Sequence, residues 1–97
     1  MIRREGERMM IAGPATLANV TQLLEAGLAH VREGVAVVDL AEVTELDSSL
    51  LAATLAWLRE ARMRNHALTV ANLPQGMQTL AELYGVEELL PLAVPGQ

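Results

Sequence analysis

At 97 residues the chain has the length of one small domain. Hydrophobic residues make up 52% and charged residues 20%, which excludes an intrinsically disordered chain. Seven bases, all arginine, stand against twelve acids for a net charge of −5, the reverse of the basic footprint of a nucleic-acid binder. The absence of cysteine removes disulfides, thiolate metal sites and thiol catalysis together. Trp57 and Tyr84 are the only aromatics, so the core has to come from aliphatics, chiefly leucine and alanine. No apolar run nears the ~18 residues of a membrane span, and the bases at Arg3 and Arg4 are not followed by a secretory apolar stretch. The expectation is a soluble cytoplasmic domain over residues 1–97, with frayed ends at 1–7 and 93–97 and no direct insertion into a membrane.

Taken in order, Arg8 to Ala12 reads as a strand stopped by Gly13-Pro14, with Ile2 to Arg4 able to pair with it as a hairpin. From Pro14 the period becomes helical, and Leu17, Val20, Leu24, Leu28 and Val31 share one stripe that ends before Gly34. Val35 to Leu40 is a continuous apolar run, as expected of a central strand covered on both faces. Ala41 to Leu46 then reads as a short acidic loop. The next helix starts around Asp47 to Ser49, where three good N-cap residues stand in a row, and continues to about Arg64, with Asn65 as its cap. Ala67 to Ala71 is a third short strand. A last helix places Met77, Leu80, Ala81 and Tyr84 on one face and stops at Gly85. The tail Val86 to Leu92, broken by Pro91, fits either a helical turn or an edge strand. Helices alternating with short strands give an α/β domain with a mostly parallel central sheet, an N-terminal hairpin and helices packed on the sheet.

Catalytic chemistry finds no support in these spacings. His30 and His66 read as surface histidines, no nucleophile–base–orienter set converges, and no metal-ligand cluster is visible. Neither GxxxxGK[ST] nor GxGxxG occurs, so no phosphate-cradling loop is expected. The reading is a non-enzymatic domain without cofactor or metal.

The segment Val38 to Leu51 stands out, because it runs from a buried strand through an acidic stretch into a helix start. Asp47 or Ser48 caps that helix. The cap is the favoured reading of the spacing, and a capping Ser48 can also face a partner or carry a phosphoryl group held by free backbone N–H groups and the helix dipole. On a helical wheel Leu50, Leu51, Thr54, Leu55, Trp57, Leu58 and Ala61 fill a core arc. Ala52, Ala53, Ala56, Glu60 and Met63 lie opposite. Small side chains there either reflect alanine's helix propensity or leave room for a partner to approach.

Val38-Asp39-Leu40, Val43 and Asp47-Ser48-Ser49 before a Leu/Ala helix resemble the signature of STAS domains (sulfate transporter and anti-sigma factor antagonist). The ending Leu80-Ala81-Glu82-Leu83-Tyr84-Gly85-Val86, with Leu90-Pro91, is similar to the MlaB-like branch, small subunits of a phospholipid-transporting ABC system. The resemblance implies a STAS fold over nearly the whole chain and a protein that binds and regulates the cytoplasmic ATPase of that transporter, at the cytoplasmic face of the inner membrane. It implies, as the alternative, an anti-sigma factor antagonist whose partner is an anti-sigma kinase and whose switch is phosphorylation of Ser48. The partner surface expected from the residues and the resemblance together is Asp47, Ser48, Ser49, Leu50, Ala52, Ala53 and Ala56. The family usually has Gly at position 49 or 50, whereas Ser49-Leu50 stand here, placing side chains next to Ser48 where the family has bare backbone.

Overall fold

The computed structural model describes residues 1–93. Strands β1 (Ile2–Glu5) and β2 (Arg8–Ala15) form the expected antiparallel hairpin, with Glu5 opposite Arg8 and Ile2 opposite Ile11. Gly6 turns it at a φ of +62°, a left-handed backbone that glycine adopts without strain. The start of the chain is thus tied into the sheet rather than frayed, and Met1 exchanges backbone hydrogen bonds with Ala12. Of the other end expected to fray, residues 94–97 lie outside the described residues.

β2 does not stop at Gly13-Pro14 but continues to Ala15, through two register shifts against its parallel neighbour. The pairing with β1 ends opposite Ile11, so this part of β2 has an open edge, where proline is tolerated. Asn19 closes the following turn, its side chain accepting from the Thr16 N–H (2.9 Å) and donating to the Pro14 carbonyl (2.7 Å). Helix α1 (Val20–Arg32) therefore starts well after Pro14. Leu17 is 77% exposed rather than part of a buried stripe. The buried line on α1 is Leu23, Gly27 and Val31, with Val20, Leu24 and Leu28 half-buried beside it. Gly27 interrupts the aliphatic stripe for a packing reason: a Cβ there would overlap the buried Trp57 indole. The indole Nε1 donates to the Leu24 carbonyl at 3.0 Å, which satisfies the ring's one polar group in the core.

Strand β3 (Val37–Leu46) begins later than expected and runs straight through the stretch read as an acidic loop. It lies parallel to both β2 and β4 (Thr69–Ala71), giving the sheet order β1-β2-β3-β4. Helix α2 (Ser48–Met63) connects β3 to β4, and Asn65 follows it in a left-handed conformation. Helix α3 (Gln75–Tyr84) ends in the left-handed Gly85. Two crossovers step the same way along the sheet, and with the right hand that such units take they place α1 and α2 on one face of it, packed against each other. Met9, Ile11, Val38, Leu40 and Val70 point into the core formed there.

The opposite face of β3 is buried at its centre as well, in keeping with the two-sided expectation, but polar pairing and not a helix covers it. There the side chains of Met10, Asp39 and Ala71 stand in one cross-strand row. Asp39 accepts from Arg8 (2.6 Å), from the Asn72 side chain (2.9 Å) and from the Ala41 N–H (2.9 Å). Polar pairing shields this face. The tail uses both of its expected forms: Glu87–Leu89 make a 3-10 turn, and Leu92 then pairs parallel with Val70 at the sheet edge.

Candidate functional site

The corner between β3 and α2 is organised by one side chain. Asp47 has an extended backbone (φ −139°, ψ −170°) and caps α2. Its Oδ1 accepts from the Ser49 N–H at 2.9 Å and from the Ser49 hydroxyl, while Oδ2 accepts from the Leu17 N–H at 2.9 Å. The Ser49 hydroxyl, followed by the Leu17 and Ser49 N–H groups, holds the Asp47 carboxyl below the usual carboxylate range. One carboxylate thus ties the β2–α1 turn to the start of α2. Between the two capping choices, Asp47 takes the role.

Ser48 is left exposed, with no hydrogen-bond partner for its hydroxyl among the described residues. The departure at positions 49 and 50 has a structural account. Ser49 turns its hydroxyl into the Asp47 cap, and Leu50 is fully buried in the core. Neither stands in front of Ser48.

The outward face of α2 differs from the expected one. Leu50 and Ala53 are buried at 0% and 2% exposure, so neither is available to a partner. Leu50 lies in the core as its place in the wheel's core arc requires, which removes it from the partner surface, whereas Ala53 joins the core because the helix is rotated relative to the wheel arcs, whose alanines carry no polarity to fix the angle. Ala56 is half-buried. Glu60 is mostly buried and bridges Arg32 and Arg64. The line that does face outward is Ser48, Ala52, Leu55, Arg59 and Arg62, spaced by fours and threes as one helical stripe must be. Leu55 and Leu58, expected in the core arc, are half-buried along it.

Across from this stripe stand Tyr84 and Val86. Together with Ser48, Leu51, Ala52 and Leu55 they enclose an open groove of about 370 Å³. Tyr84 is 57% exposed rather than facing inward with Met77 and Ala81. The second bank of the groove escapes a reading of α2 alone; the one available signal was an aromatic in the last turn of a helix that ends at Gly85.

Elsewhere the structure offers little chemistry. His66 is half-buried, each ring nitrogen 3.0–3.1 Å from a backbone carbonyl, of Val31 and Ala67, so it pins the loop to α1. Among the described residues no cluster of acidic or histidine side chains could hold a metal, and no helix is long and apolar enough to cross a membrane.

Comparison with known proteins places this corner in context. Residues 1–91 match the family described as Mlab, STAS domain. The chain belongs to the MlaB STAS domain family. No curated protein matches the sequence significantly. Among solved structures, this STAS domain is similar to a chain of the Acinetobacter MlaFEDB complex in its ATP-bound Vtrans2 conformation, at 23% identity and a TM-score of 0.80, with 96% of this chain and 100% of that one covered. It is also similar to the unphosphorylated anti-sigma factor antagonist SpoIIAA, at 13% identity and a TM-score of 0.71, covering 98% and 88%. A third neighbour is an anti-sigma factor antagonist from Thermotoga maritima described as putative, at 9% identity and a TM-score of 0.73, covering 95% and 83%. At these identities the neighbours establish the fold.

Proposed function

We propose that this STAS domain is a non-enzymatic subunit that binds and regulates the cytoplasmic ATPase of a phospholipid-trafficking ABC transporter of the MlaFEDB kind, docking through the corner at Ser48 and the adjoining stripe of α2. Of the surface expected from the sequence, Ser48 and Ala52 supply the contact. Asp47 and Ser49 hold it in shape, and Ala56 lies at its margin. The observation that carries the reading is the division of labour at the helix start. Asp47 does all the capping, which leaves Ser48 exposed and unbonded beside a concave, mostly apolar groove. A contiguous apolar hollow with one polar corner has the make-up of a protein–protein contact. The family match and the likeness to a chain of MlaFEDB favour an ATPase as the protein that fills it.

The test is a calorimetric titration of the domain with the ATPase subunit of the same organism's MlaFEDB-type transporter. Ala52→Arg and Ser48→Glu, both on exposed positions, are expected to weaken binding while melting normally. Wild-type affinity in both variants places the contact elsewhere.

A second reading is favoured by the same free hydroxyl. Ser48 sits at a helix N-terminus, where a phosphoryl group is stabilised by the helix dipole, and SpoIIAA has been solved in unphosphorylated and phosphorylated forms. In that reading the domain is an anti-sigma factor antagonist that an anti-sigma kinase phosphorylates at Ser48. Transfer of phosphate from ATP to the wild type but not to Ser48→Ala, with the kinase present, is its signature. A transport subunit needs no such transfer.

A further inference from the structure

The seven arginines of the chain are unevenly matched with acids. Arg3 pairs with Glu5 and Glu42, Arg4 with Glu33, Arg8 with Asp39, and Arg32 and Arg64 share Glu60. Arg59 and Arg62 have no carboxylate partner among the described residues, in a chain whose net charge is −5. Both are exposed and lie three residues apart on the outward stripe of α2. They line one hollow with Leu55, Leu58 and Leu89, and Leu55 also lines the groove at Ser48. An apolar groove therefore runs along α2 into a doubly cationic end.

We infer that the occupant of this groove is a segment of the partner ATPase that lays apolar side chains along Ala52, Leu55 and Tyr84 and sets a pair of carboxylates against Arg59 and Arg62. The inference rests on the docking face proposed above and adds the chemistry of what docks there. Guanidinium groups recognise carboxylates through paired N–H donors in a fixed fork. Two of them beside an apolar surface select a segment that is hydrophobic along one part and acidic at the next. The carboxylates among the described residues do not serve. Glu60 faces away, engaged by Arg32 and Arg64. Glu87 and Glu88 are exposed on the far bank, beside Leu89, and form no ion pair with either arginine. Those two acids also set the direction, since a docked carboxylate must lie toward the α2 wall and away from them. They disfavour an anionic lipid surface, which would bring its headgroups against Glu87, Glu88 and the negative chain as a whole.

The measurement is the titration with the purified ATPase, repeated at about 50 mM and about 300 mM salt. Arg59→Gln with Arg62→Gln, on the same chain, is expected to weaken binding about tenfold at low salt and to flatten the salt dependence. Arg59→Glu with Arg62→Glu should weaken it further, and both doubles should melt like the wild type because the side chains are exposed. If both doubles bind as tightly as the wild type while Ala52→Arg has lost binding, the docking face stands and the acidic segment is overturned. If Ala52→Arg also binds normally, the docking face itself fails, and this inference with it. A parallel arm uses vesicles of phosphatidylglycerol and phosphatidylethanolamine. Vesicle binding by the wild type that disappears in the Gln double, with ATPase affinity unchanged, would assign the two arginines to a lipid surface and overturn the proposal.

Discussion

Asp47 engages both carboxylate oxygens, one with the start of α2 and one with the turn that precedes α1. Its carboxyl is held below the ordinary value, so its contribution to stability is complete above that ordinary value and fades as the pH falls through the lowered one. Asp47→Ala is expected to lower the melting temperature at neutral pH. It should also release the Leu17 amide to solvent, which hydrogen exchange at that single N–H reads directly; unchanged Leu17 protection would mean that the carboxylate does not hold the turn. Asp39 shows a different balance. Burial pushes its carboxyl upward, but hydrogen bonds from Asn72, from the Ala41 N–H and from Arg8, with the charge of Arg8, outweigh burial and leave it lowered. Its stabilisation is likewise present at neutral pH and lost on acidification below about pH 4, the ordinary carboxylate range. Asp39→Ala should cost about 2 kcal/mol at pH 7, the scale of buried hydrogen bonds to charged groups. Melts taken from pH 7 down to pH 3 should show a shallower acid loss in the variant than in the wild type. Equal slopes would mean that Asp39 is not a source of the acid sensitivity.

The contact between α1 and α2 turns on Gly27. Its absent side chain makes room for the Trp57 ring, whose N–H then reaches the Leu24 carbonyl. On an exposed helix Gly→Ala stabilises; here the added methyl must displace a fully buried indole, and overpacking of this kind costs about 1–3 kcal/mol. Gly27→Ala is therefore expected to destabilise, with a shift in Trp57 fluorescence as the ring moves. A more stable variant would show that the two helices can slide apart freely. This element also marks where sequence reasoning reached its limit. Alternation of strands and helices, the hairpin, the Asp47-Ser48-Ser49 helix start and the stop at Gly85 were all legible, because each depends on local chemistry. The rotation of α1 and α2 was not. Leu17 looked like a stripe residue because apolar spacing does not reveal that Asn19 delays the helix. Ala52 and Ala53 looked alike because alanine suits core and surface equally. β3 was cut short because its second half has no apolar pattern; it is held in the sheet by pairing of Glu42, Val43, Glu45 and Leu46 with β2.

At the scale of the molecule, both α1 and α2 lie on one face of a four-stranded sheet, and the other face is shielded by paired charges. Neighbouring residues of β3 therefore meet different environments. Val38 points into the helix-covered core at 0% exposure. Val37, one residue earlier, points the opposite way, is half-buried and stands across from Arg8. Alternation along a strand makes these two positions an internal control for the layering. Val38→Asp buries a carboxylate with no partner and costs several kcal/mol against a total stability of about 5–15, enough to unfold much of the population. Val37→Asp loses part of a valine's burial and has to share Arg8 with Asp39, but its half-buried position keeps the carboxylate in reach of water, and its net cost should be about 1 kcal/mol. Circular dichroism melts of the two variants, side by side, decide the matter. Collapse of Val38→Asp with a folded Val37→Asp confirms one helix-covered face. Equal collapse would mean that the back of the sheet, where Met10 and Ala71 are buried beside the Arg8–Asp39–Asn72 network, tolerates a new charge no better than the core.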